Sequence, residues 1–263
     1  MKSIHSTMTH VMTYLRILTL LIFSFFFVLI IPFLGLEAQE FLQNILSYLG
    51  FLYAILMGFL MNIAIQRRRL LDDYISKELN TIRRIYHLSL HIAKDQPKLE
   101  QWTKNLKEDL DAYLTLFRDA SFYVYERGNE LFRQVTYTIY RMPMLKVRYN
   151  QDIYKTLLET TGEATEARQM IRQKKDQYVG HFQWAITMIL TFTFAWILTS
   201  ATPADPSARV VTAIAIFNIL LVLDLLYEYD RFNDKKLRYI ANMYANNLAN
   251  VEELKTRKYR KTK

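Results

Sequence analysis

Two pairs of long apolar segments, separated by a charged, helix-forming block, leave this chain few ways to fold. The first pair runs from Tyr14 to Phe33 and from Ile45 to Ile65. The second runs from Phe182 to Thr199 and from Val210 to Leu226. A helix rises about 1.5 Å per residue, so roughly 20 apolar residues cross a hydrocarbon core about 30 Å thick. Each segment approaches that length. Arg16 and Asp224 are the only formal charges inside them, each near an end where the side chain can reach the interface. The pattern predicts an all-α integral membrane protein with four spans in two hairpins, 14–66 and 181–228. A helical block, 67–180, lies between the hairpins, a short segment 1–13 precedes them, and a basic tail 229–263 follows.

Lysine and arginine placement predicts orientation. Arg67, Arg68 and Arg69 follow the second span, and Lys2 and Arg16 flank the first. Lys174 and Lys175 precede the third, and Lys235, Lys236 and Arg238 follow the fourth. The loop Leu34–Asn44 holds Glu37 and Glu40 and no base, while Ser200–Arg209 holds one Asp and one Arg. The positive-inside bias therefore predicts both termini and the central block in the cytoplasm, with the short loops outside.

Hydrophobic residues at 51% and charged residues at 22% fit spans joined to a water-facing helical body. The formal charge of +9 follows from topology and attraction to anionic lipid, with no need of nucleic acid. Cysteine is absent, which excludes disulfides, thiolate catalysis and Cys-based metal sites. The first apolar run exceeds a signal-peptide core, and Ala38 follows Glu37 in a poor cleavage context, so it reads as a retained span.

The block is helical almost throughout. Pro97, Gly128, Pro143 and Gly162 punctuate it into about four helices: Arg67 to Lys94, Pro97 to Arg127, Asn129 to Met142, and one leading from Pro143 into the third span. No period-two alternation predicts a strand. Catalytic patterns are missing. Six glycines form no phosphate-cradling loop, and His87 and His91, four apart on a helix, lack the accompanying ligands of a metal site. The carboxylates of Asp72–Asp73 and of Glu108, Asp109 and Asp111 lie among bases, as on a solvated helix face. These features predict neither an enzyme nor a cofactor or metal.

The second span carries the most information. Gly50, Ala54, Gly58 and Asn62 form a small-residue stripe that permits close helix packing in lipid. Phe51, Ile55, Phe59 and Ile63, continuing from Ser47, form a bulky stripe about 100° away. Two readings stand side by side: ordinary packing and lipid-facing surface, or an oligomer in which the bulky stripe rings an axis as a hydrophobic constriction.

Several stretches resemble the bestrophin-type anion channels, and in particular their bacterial bestrophin-like group. These are Gly58-Phe59, Arg67, the exit Leu71-Asp72-Asp73-Tyr74, and Glu78-Leu79-Asn80-Thr81-Ile82. Leu223-Asp224-Leu225-Leu226-Tyr227-Glu228-Tyr229-Asp230-Arg231-Phe232 is similar to the family's acidic exit from the last span. The resemblance implies a homopentamer in a lipid bilayer, passively conducting small anions such as chloride through a pore lined by the second span. On that pattern Phe51, Ile55 and Phe59 form the apolar neck, and Arg67–Arg69 form a basic inner mouth. Asp224, Glu228 and Asp230 form the acidic run after the fourth span. Arg231-Phe232 departs from the family's Pro-Phe, and the run is thin for a calcium clasp. Asp224 is expected to reach the interface or a base such as Arg67 or Arg231. The alternative reading is a non-conducting anchor whose helical block binds a protein partner. A secondary transporter fits less well, because no Gly/Pro-broken spans occupy matched positions.

Overall fold

The computed structural model describes residues 2–30, 40–94, 96–119, 125, 127–143, 148–203, 205–231 and 234–247. Among these the regular elements are all helical: α1 Lys2–Ile30, α2 Glu40–Lys94, α3 Glu100–Asp119, α4 Gly128–Tyr140, α5 Arg148–Lys175, α6 His181–Ser200, α7 Pro206–Asp230 and α8 Asp234–Ala245. They form two compact units, one of residues 1–66 and 178–231, the other of residues 67–177 and 232–263. Helix α2 is unbroken and contributes to both.

In the first unit, α2, α6 and α7 are long and apolar enough to cross a membrane, and α1 carries a shorter apolar stretch, Leu15–Ile30. Only 22% of the most apolar window of each long helix is buried inside the chain. So much uncovered apolar surface requires lipid or further copies to cover it. Threonines in α6 make this possible, because each of Thr187, Thr191 and Thr199 donates its hydroxyl to the carbonyl four residues back, at 2.7–2.8 Å. These three hydroxyls are thereby paired within the helix rather than left bare in an apolar setting. Helix α7 starts where Asp205 accepts from the amides of Ser207 and Ala208, at 3.1 and 3.2 Å, ahead of Pro206 in the first turn.

The second unit has a continuous core. Leu71, Ile75, Ile82 and Ile85 of α2, at helical spacing, meet Leu106, Leu110, Tyr113 and Phe117 of α3 and Val135 and Ile139 of α4. Gly128 opens α4 where a Cβ would lie 3.1 Å from both the Tyr113 and Phe117 rings, so glycine is what lets α4 approach α3.

Three differences from the sequence expectations have local causes. The helix expected to run from Pro143 into the third span stops at Lys175, and α6 begins afresh at His181 after the non-helical stretch ending at Gly180. Gly162, read as a breaker, lies inside α5 with nothing within 4 Å of a notional Cβ, since one glycine costs a helix only about 1 kcal/mol. The tail is not wholly a tail: α8 buries Leu237, Ile240 and Tyr244 in the second unit's core.

Candidate functional site

The apolar half of α2 has two distinct faces. Tyr53, Met57, Leu60 and Ala64 fall within an arc of about 60° at 100° per residue, and all four are buried against Val179, Leu226 and neighbours on α6 and α7. The Tyr53 ring stacks on Phe194 at 5.5 Å, and the Thr191 hydroxyl lies 3.4 Å from the Tyr53 oxygen. Phe51, Ile55 and Phe59 lie on the opposite side and are 68%, 55% and 60% exposed, while Ile63 is half-buried. The bulky stripe is therefore the face that the chain itself leaves bare.

The small-residue stripe divides. A Cβ on Gly50 would lie 3.3 Å from the Phe194 ring, so Gly50 serves the packing of α2 on α6 within the chain. Ala54 is exposed, and Gly58 has open space around it. Only its lower end faces away from every described residue of this chain.

The charges inside the apolar segments of α1 and α7 find each other. Asp224 does not pair with Arg67 or Arg231; its Oδ1 accepts from Arg16 Nη2, joining α7 to α1. A lone charge in the hydrocarbon costs about 3 kcal/mol or more, and pairing reduces that cost for both residues. Arg231 instead lies over the Tyr227 ring at 5.0 Å. Arg67 is buried, with Nε and Nη2 each donating at 3.2 Å to the carbonyls of Lys174 and Lys175 at the end of α5. Its guanidinium satisfies carbonyls that a helix end leaves orphaned. Arg68 is half-buried and Arg69 exposed. Asp230 is buried and accepts from the Val179 amide at 2.7 Å and the Trp184 indole at 3.1 Å, fixing the start of α6. Glu228 is half-buried. His87 and His91 stack edge to face at 4.8 Å, and no metal-binding cluster of three or more His, Cys, Asp or Glu occurs among the described residues.

The arrangement that sequence reading missed centres on Glu78. This carboxylate is fully buried on the α2 stripe otherwise made of Leu71, Ile75, Ile82 and Ile85. It accepts from the hydroxyls of Tyr113, Tyr244 (2.5 Å) and Tyr125 (3.3 Å), and from Arg168 Nη1 of α5 at 3.3 Å. Arg168 also donates to the Tyr113 oxygen and, at 2.8 Å, to Asn129 of α4. Its guanidinium lies 4.7–4.8 Å from the Tyr113, Tyr125 and Phe132 rings. Burial pushes the Glu78 carboxyl up to about 7, against the pull of Arg168 and the tyrosine hydroxyls. Burial likewise lowers Arg168, and burial with the nearby carboxylate raises Tyr244 well above its usual range. One acidic group thus ties α2, α3, α5 and α8 together, and through Arg168 also α4.

A sequence profile of the bestrophin-like domain matches residues 15–231. No curated protein matches the sequence significantly. Among solved structures, a bacterial bestrophin homologue from Klebsiella pneumoniae carrying a leucine-to-threonine substitution superposes with a TM-score of 0.69. The two are 15% identical, over 89% of this chain and 98% of that one. A structure described only as that of a membrane protein, with a proline-to-alanine substitution, gives 0.69 at 16% identity over the same shares. A tryptophan-to-alanine variant of the Klebsiella homologue gives 0.67 at 14% identity, over 89% and 96%.

Proposed function

Since this chain belongs to the bestrophin-like family, we propose that several copies surround an axis in a membrane and let small anions such as chloride pass down their gradient. The observation that carries the proposal is the bare apolar face of α2, where Phe51, Ile55 and Phe59 stand exposed opposite the face that packs on α6 and α7. In a ring of copies, five on the family pattern, these side chains form the neck. An apolar ring offers an ion nothing in place of its lost hydration, so it holds the path closed when dry and admits ions when wetted. Ala54 and Gly58 allow neighbouring copies to approach. Arg68 and Arg69 raise the anion concentration at the inner mouth, whereas Arg67 is committed to the end of α5. The orientation proposed is the one the basic residues favour, with both termini in the cytoplasm of a bacterial inner membrane and a multi-pass chain between them.

Replacing Phe51, Ile55 and Phe59 together by Ala tests this in reconstituted liposomes. The triple variant is expected to raise chloride efflux several-fold over the parent, and Phe25→Ala/Phe26→Ala is expected to leave it unchanged. Flux indistinguishable from protein-free liposomes in both parent and triple variant, at every pH, calcium level and voltage, would establish the non-conducting anchor instead.

A further inference from the structure

Within the second unit, α2 and α8 enclose an open cavity of about 410 Å³. Ser76, Asn80 and Arg83 of α2 form one wall, and Tyr239 and Asn242 of α8 with Asn246 just after it form the other. Among the described residues no carboxylate lines it. The walls are fastened by Tyr244 to Glu78 at 2.5 Å, by Asn247 Nδ2 to the Leu79 carbonyl at 3.0 Å and by Lys236 to Asp72 at 2.7 Å, so the space between them is built. Arg83 donates from Nη2 to Asn247 Oδ1 at 3.1 Å, which fixes the guanidinium plane. Its Nε is buried and has no acceptor among the described residues. The side chains of Ser76, Asn80, Asn242 and Asn246 are exposed and make no hydrogen bond to another described residue.

A tethered guanidinium and several exposed carboxamides without a partner among the described residues form an unfinished polar site. We propose that this cavity binds a small organic carboxylate that also carries hydroxyl or amide groups. The planar guanidinium matches a carboxylate edge, and a single cation balances its single charge. The asparagines and Ser76 offer donors and acceptors together, suited to neutral polar substituents, and Tyr239 supplies an aromatic wall. The volume lies in the range of small-molecule sites. Occupancy here involves no passage through a membrane, so the proposal stands apart from conduction and describes a ligand site on the second unit.

Isothermal titration of the protein in detergent, at neutral pH, tests it with the monocarboxylates glycerate and gluconate as probes and with phosphate and chloride as comparisons. At least one of the two carboxylates is expected to bind saturably and more tightly than phosphate or chloride. Arg83→Gln is expected to weaken it by about tenfold or more, the loss typical of a charge-assisted hydrogen bond. Because Arg83 also holds Asn247, Asn80→Asp is the second variant. It puts a repelling carboxylate on an exposed wall position and should weaken binding comparably while leaving melting temperature and complex mass unchanged. Arg84→Gln, exposed on the same helix and outside the cavity, should bind as the parent does. The proposal is overturned by no saturable binding of either carboxylate up to about 20 mM, by parental affinity in Asn80→Asp, or by phosphate or chloride binding as tightly.

Discussion

Glu78 shows how one residue can set the conditions under which a domain holds together. Its carboxyl titrates at about 7 in the folded protein, above its ordinary value of 4.5. A folded state that holds the proton more tightly is stabilised by this group below the ordinary value, and that stabilisation disappears as pH rises through about 7. The size is roughly 3 kcal/mol, from about 1.4 kcal/mol per pH unit. Glu78→Gln is therefore expected to flatten the pH dependence of the melting temperature between about pH 5 and 7; a slope equal to the parent's would assign that dependence to other groups. Glu78→Ala leaves Arg168 and three hydroxyls without their shared acceptor and should cost about 3–5 kcal/mol, read by chemical denaturation. The clue lay in the sequence, because Glu78 falls on the apolar stripe of α2 between Ile75 and Ile82. Its partners did not, since Tyr113, Tyr125, Arg168 and Tyr244 come from segments that only the tertiary fold brings together.

At the scale of elements, α2 separates local folding from assembly. Gly50 faces the Phe194 ring within the chain, whereas Gly58 faces open space. Gly50→Leu should therefore lower the thermal stability of the protein, and Gly58→Leu should change the mass of the complex while the chain still inserts. Gel filtration with light scattering separates the two. An unchanged mass in Gly58→Leu would remove that position from the interface between copies. Helix α2 ends at Lys94, where the sequence placed it, because Pro97 follows. The boundary between α5 and α6 was harder to read. Lys174, Lys175 and Asp176 continue a helical composition, and the chain breaks there while Arg67 binds the last carbonyls and Asp230 holds the next amide. Those partners are remote in sequence, so no local signal announced the stop. Helix α8 reads as tail because Lys235, Lys236 and Arg238 crowd its start, yet Leu237, Ile240 and Tyr244 repeat at helical spacing and are buried.

For the molecule as a whole, the apolar layout was legible because hydropathy is a local property, and the helical class followed from it. The number of copies is a property of surfaces the single chain leaves bare. We expect the purified protein to have a mass that is an integral multiple of the 31.4 kDa chain, five on the family pattern, measured by native mass spectrometry. A 31.4 kDa species alone would leave Phe51, Ile55 and Phe59 facing lipid. The pairing of Arg16 with Asp224 adds a schedule to the way the chain is made. The cation belongs to α1 and its counter-charge to α7, far later in the chain. At roughly 5–20 residues per second the ribosome needs about 10–40 s to cover the distance between them. For that interval the arginine waits at the membrane uncompensated, and a chain interrupted before α7 never relieves it.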